Sequence, residues 1–210
     1  MTQILLVRHG ETKWNVKEVF RGQIDIELNE TGMKQAELLA EYLSNLKIDA
    51  IYSSALKRAL ATAEKIASFH KLNVVTAPGL MDLDFGEWQG LPHQEVRNRY
   101  KELYTQWISH PERVKTPGGE NLDEVRTRAM GMVYQVITKY DGSIVLVSHR
   151  VVNKVLICAL LGLDNSHFWN IEQSTCGLTI FNHKNGRFVL TRHNDISYLR
   201  PLSGTVLSDF

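Results

Sequence analysis

Leu5-Leu6-Val7-Arg8-His9-Gly10-Glu11-Thr12 passes from an apolar run straight into an arginine, a histidine and a glycine. Ile4 to Val7 show no polar alternation, which is how a strand buried on both faces of a parallel sheet reads. Its reactive residues then stand at the strand's carboxyl end, the edge where open α/β sheets bind ligands. Gly10 permits a sharp turn or a close backbone approach to a ligand. Arg8 offers a planar, permanently charged fork for phosphate or carboxylate, and His9 is the one group here able to act as a nucleophile near neutral pH.

A histidine after a strand is by itself usually a hydrogen-bonded loop residue, but the construction recurs twice. Asp49-Ala50-Ile51-Tyr52 runs into Ser53-Ser54 and a helical stretch with Arg58 one turn in, and Ser143-Ile144-Val145-Leu146-Val147 runs into Ser148-His149-Arg150. A parallel sheet would bring all three strand ends to one edge.

Composition sets the frame for this reading. A chain of 210 residues, 43% hydrophobic, can bury a core as one domain. Its formal charge of +1 argues against a nucleic-acid partner. Cys158 and Cys176 have no CxxC spacing and read as buried free thiols, which suits a reducing compartment. No apolar run has the length of a membrane span or the layout of a signal peptide. The expectation is a cytoplasmic protein with no membrane partner.

Along the chain, Trp14 to Gln23 reads as an irregular segment of ligand-covering length. Thr31 is the expected cap of a helix with Met33, Ala36, Ala40 and Leu43 on its apolar stripe. Ser54 is the expected cap of the next, with Leu56, Leu60, Ala63 and Ala67 inward and Arg58 leaning back toward the strand end. Asn73 to Thr76 reads as a strand, and Met81 to Gly90 as a packed loop in which carboxylates alternate with bulky apolar residues. Pro92 to Trp107 reads as one helix, and Asn121 with Glu124 as a capping box opening another. Val151 to Leu161 is an apolar helix stopped by Gly162, and Leu178–Asn182 with Arg187–Thr191 form a hairpin. Alternating strands and helices predict a three-layer α/β/α sandwich with a mostly parallel sheet, the domain spanning 1–199 and a loosely held tail 200–210.

These blocks together resemble the histidine phosphatase superfamily, which contains cofactor-dependent phosphoglycerate mutases and small phosphomonoesterases. Leu6-Val7-Arg8-His9-Gly10-Glu11-Thr12 with Trp14-Asn15 matches the family's opening signature. Ser53-Ser54 through Arg58 and Thr62-Ala63, then Phe85-Gly86-Glu87-Trp88, Pro117-Gly118-Gly119-Glu120 and Val147-Ser148-His149, match four further blocks in order. The resemblance implies that His9 becomes phosphorylated, that Arg8, Arg58 and His149 grip the phosphoryl oxygens, and that Asn15 lines the same pocket. It puts Arg21 and Gly22 on a segment facing the substrate, and Asp82 where many members carry a glutamate proton donor. Asp84 stands two residues away as a reserve acid.

The chemistry fits these residue types. A phosphoryl group in transfer carries negative charge on its equatorial oxygens, and metal-free catalysis needs several fixed donors around it. Two arginines and a protonated His149 could supply them, while a neutral His9 presents a lone pair in line with the leaving oxygen. A metal site is disfavoured, since no HExxH is present and adjacent arginines would repel a cation.

His70, His93, His110, His167, His183 and His193 match no block and read as surface or loop residues, with substrate contact the lesser alternative for His93, which follows the acidic loop. Arg150 is open between an outward-facing salt bridge and positive potential for a substrate's carboxylate or second phosphate. The short chain between the third strand and Pro117 favours a phosphatase over a mutase, so no cofactor is expected; 2,3-bisphosphoglycerate priming belongs only to the mutase alternative, and a silent phospho-ligand binding module is the remaining rival. The layout resembles bacterial phosphatases for α-ribazole phosphate, phosphoserine or mixed phosphomonoesters. The expected partner is a small phosphorylated metabolite, with a homodimer suggested by the family.

Overall fold

The computed structural model describes residues 1–202, so the expected tail lies outside the described residues from 203 onward. Six strands form one sheet: β1 (Thr2–Arg8), β2 (Ala50–Ser53), β3 (Val74–Thr76), β4 (Ser143–Ser148), β5 (Leu178–Lys184) and β6 (Arg187–Asp195), in the order β3-β2-β4-β1-β5-β6. The first four are parallel, and the β5–β6 hairpin joins β1 antiparallel. Asn185 and Gly186 both take positive φ at its turn, as a two-residue hairpin loop requires.

Because side chains alternate along a strand, each central strand feeds two cores. Ile4, Leu6, Ile144 and Leu146 face α6 (Leu122–Lys139) and α7 (Arg150–Leu160), while Leu5, Val7, Val145 and Val147 face α2 (Glu30–Leu43) and α3 (Lys57–His70). This double burial is why these strands read as unbroken apolar runs, and the layers are the α/β/α sandwich expected from the sequence. Trp88 and Trp107 are fully enclosed in the first core.

Four local readings are corrected. The segment expected to be irregular opens with a short helix, α1 (Lys13–Val16), held by a capping box between Thr12 and Asn15; four residues carry no periodicity to detect. The cap of α2 is Asn29, not Thr31: its side chain accepts from Gly32 N at 2.8 Å and donates to Glu11 Oε1 at 2.7 Å. At α3, Ser54 Oγ accepts from Leu56 N, ahead of the helix, and donates to Met81 Sδ, while Asp25, on a distant loop, accepts from Lys57 N at 2.8 Å, so a tertiary carboxylate does the capping. The helix expected over Pro92–Trp107 is two, α4 (His93–Arg99) and α5 (Lys101–Ser109), broken at Tyr100, where φ is −122° and ψ is 45°. Val96 and Trp107 still pack into one core across that bend, so the apolar period gave no sign of it.

Candidate active site

The parallel register sets Arg8 beside Ser148 and Ser53 beside Val147, so three strands end together. His9 follows β1, Arg58 lies in the first turn of α3 after β2, and His149 is the N-cap of α7 after β4. Antiparallel β5 begins at the same edge, and its approach supplies Gln173 O to Arg8 Nη1 at 2.5 Å. Arg8, Arg58 and His149 are fully buried and His9 nearly so.

Gly10 lets two backbone segments pack closely. A Cβ there would lie 2.5 Å from Gly32 O, and one on Gly32 would lie 2.1 Å from Glu11 O. The two glycines let the residues after His9 press against the start of α2, and Thr62 Oγ1 accepts from Gly10 N at 3.1 Å. This close backbone packing excludes a side chain at position 10.

His9 Nδ1 lies 2.6 Å from Gly10 O. A carbonyl can only accept, so Nδ1 carries the proton and Nε2 keeps its lone pair. Burial, then the charges of Arg58, Arg8 and Arg21, hold its pKa well below the usual histidine range, so the ring is neutral at pH 7. The His149 ring lies 5.2 Å away, and neither of its nitrogens has a hydrogen bond among the described residues. A fully buried, unbonded imidazole is rare unless a ligand completes it. With no phosphate bound, burial first, then Arg58, His9 and Arg21, push the His149 pKa well down, whereas the protonated ring expected from the sequence belongs to the phosphoryl-bound site.

Asp82 is 6% exposed, with Oδ2 3.1 Å from Arg58 Nη2 and 3.7 Å from His149 Nδ1, while Oδ1 accepts from Leu83 N at 2.9 Å. Asp84 turns away instead, accepting from Gly86 N at 2.8 Å. Arg58 also donates to Gly22 O (2.7 Å) and Ile24 O (2.9 Å), and burial brings its pKa down to about 10. Asn15 is buried in α1, and its Oδ1 accepts from Thr12 N and Oγ1.

A cavity opens above this cluster, lined by His9, Phe20, Arg21, Gly22, Asp82, Phe85, His93 and Arg150. Arg150 is thus no outward-facing residue: it is 7% exposed, lines the cavity and lies 5.7 Å from the Trp169 ring. Lys154, one turn on, is buried over Phe168 and Trp169, and burial together with Arg150 and Arg8 pushes its pKa down to about 7. His93 is half-buried and stacks on Phe20 at 4.1 Å on the cavity wall, the lesser of the two placements expected for it.

Sequence reasoning did not find the groups that hold the Asp82 loop. Gln23 Nε2 donates to Asp82 O at 3.1 Å, and Arg128 Nη2 to the same oxygen at 2.9 Å. The two glycine loops interlock, because a Cβ on Gly86 would lie 2.0 Å from Pro117 O and one on Gly119 would lie 2.3 Å from Asp84 O. Among the described residues no cluster of three or more His, Cys, Asp and Glu could hold a metal ion, and no helix is long and apolar enough to cross a membrane.

A parallel-edge cluster of two arginines, two neutral histidines and one carboxylate suits phosphoryl transfer, and comparison with known proteins agrees. The model of the histidine phosphatase superfamily (branch 1) matches residues 4–196, and the chain belongs to that family as one of its phosphomonoesterases. More particularly, it is 36% identical over 200 residues to phosphoserine phosphatase 1 of Hydrogenobacter thermophilus, covering 95% of each chain. Among solved structures, YhfR of Bacillus stearothermophilus superposes with a TM-score of 0.91 at 29% identity, over 95% of this chain and 100% of that one. Phosphoserine phosphatase of Entamoeba histolytica in complex with 3-phosphoglyceric acid gives 0.84 at 30% identity, with the same coverage.

Proposed function

We propose that the chain hydrolyses small phosphomonoesters without a metal, in two half-reactions through a phosphohistidine on His9. The observation carrying this reading is the His9 ring, neutral and held by Gly10 O at 2.6 Å, on the wall of a cavity it shares with Asp82. Its Nε2 lone pair attacks phosphorus, the bond to the ester oxygen breaks, and that oxygen takes a proton from Asp82. Arg8, Arg58 and an N–H of His149 receive the charge on the phosphoryl oxygens. Water then gives a proton to the Asp82 carboxylate and displaces phosphate from the ring.

The ester oxygen needs a proton as it leaves, and Asp82 is the carboxyl on the cavity wall placed to deliver it. Once that proton is given up, Arg58 at 3.1 Å stabilises the carboxylate that remains.

The substrate class we infer is a small phosphomonoester with a second anionic group, phosphoserine among them. Arg21 and Arg150 on the cavity wall support it, and the phosphoserine phosphatases among the relatives point the same way. Rapid quenching of turnover tests the mechanism: an acid-labile, alkali-stable phosphoryl group on His9, formed equally fast with chelator present, is the expected result. No such adduct, or its loss with chelator, overturns it. A 2,3-bisphosphoglycerate-primed mutase assay is expected to show hydrolysis only.

A further inference from the structure

The loop carrying Asp82 has only short turns of its own, yet a proton donor must stay within hydrogen-bond reach of the leaving oxygen. Arg128, on α6, supplies the anchorage. Its Nε and Nη2 fork onto Glu120 Oε1 and Oε2, each at 2.9 Å. Nη1 donates to Gly79 O at 3.1 Å and Met81 O at 2.6 Å, and Nη2 donates to Asp82 O at 2.9 Å. Every one of the guanidinium's N–H donors is therefore engaged, with the backbone of the Asp82 loop taking those that Glu120 does not.

Glu120 closes the arrangement from the other side. Its Oε2 accepts from Asp84 N at 3.0 Å, and its own N–H donates to Asp84 O at 2.8 Å. The chain is thus gripped immediately before and after Asp82, by two residues that do not line the cavity with His9.

We propose that Arg128, acting with Glu120, is a positioning residue for proton transfer: it holds the Asp82 backbone so that the carboxyl stays beside Arg58 and His149. The inference rests on Asp82 being the acid. Lysine could not replace it, because an ammonium offers three donors from one point and cannot span a carboxylate and three separate carbonyls.

The test uses leaving groups that differ in their need for a proton. An alkyl ester such as phosphoserine must release an alkoxide, whereas p-nitrophenyl phosphate releases a phenolate stable without one. In Arg128→Lys the ratio of kcat/KM for the alkyl ester to that for the aryl ester is expected to fall about tenfold. That ratio is independent of how much enzyme folds, and Glu120→Gln provides a second route to it. Asp82→Asn must lower the ratio by itself; if it does not, the assignment of the acid fails. If Asp82→Asn lowers it while Arg128→Lys and Glu120→Gln do not, the positioning role is overturned. Adding Arg128→Lys to Asp82→Asn is expected to lower the ratio no further, and an additive fall would also overturn it.

Discussion

The floor of the cavity and its mouth are made from different kinds of chain. The floor is strand ends: His9, which lines the cavity, follows β1, and behind it lie Arg8, Arg58 after β2 and His149 after β4, all at most 1% exposed and tied through the sheet register. The mouth is connections: Arg21 and Gly22 before α2, and His93 at the start of α4, joined by Arg150 from the first turn of α7. A strand end cannot shift without breaking the ladder beside it, so the floor inherits its geometry from the sheet. The mouth is placed by side chains reaching between loops, as Arg58 does to Gly22 O and Ile24 O. The difference separates chemistry from selection: floor substitutions should weaken turnover of every substrate, and mouth substitutions should reorder substrates.

The largest expected effect is at His9. Its replacement by asparagine should lower kcat/KM by at least about 10³-fold for alkyl and aryl esters alike. A loss confined to one ester would place His9 with the mouth. Arg58→Lys should cost about 10²-fold, because it removes planar contacts to phosphate and to the mouth carbonyls together. Steady-state kinetics should show kcat falling and KM rising, and a change in KM alone would break the assignment to the floor.

Burial of two neutral imidazoles makes the floor sensitive to acid. His9 and His149 have folded pKa values below the unfolded one, so the unfolded chain binds more protons as pH falls through the usual histidine range. Stability should then drop by about 1.4 kcal/mol per pH unit for each ring below about pH 6.5. Denaturant melts of the wild type and His9→Asn between pH 7 and 5 should show a shallower slope in the variant, and parallel slopes would refute the neutral state of His9. The smallest effect belongs to the mouth. Arg150→Ala should lower kcat/KM for phosphoserine about fivefold relative to an uncharged alkyl phosphate, and an unchanged ranking would remove Arg150 from selection.

Legibility followed the same division. The runs ending at Arg8-His9 and Ser148-His149 read correctly because strands buried on two faces leave an uninterrupted apolar signal. Asn121 and Glu124 could be read as a cap because both partners are local. Asn29, Asp25 and Arg128 could not, because each is decided by a group distant in sequence or by a loop's approach. Arg150 was undecided since an arginine at the start of an apolar helix can face either way until the helix is packed. Asp82 and Asp84 are alike by composition and spacing, and only the folded loop turns one to Arg58 and the other to Gly86 N.

The sequence by itself determined the layering, the edge at which the parallel strands end and the histidine and arginines gathered there, because hydrophobic periodicity and strand order are written locally. The tertiary structure decided which carboxylate faces Arg58 and His149, that burial lowers the pKa of both histidines, and that Arg128 holds the Asp82 loop. Those outcomes depend on burial and on contacts between segments far apart in the chain, and such energies exist only once the segments have met.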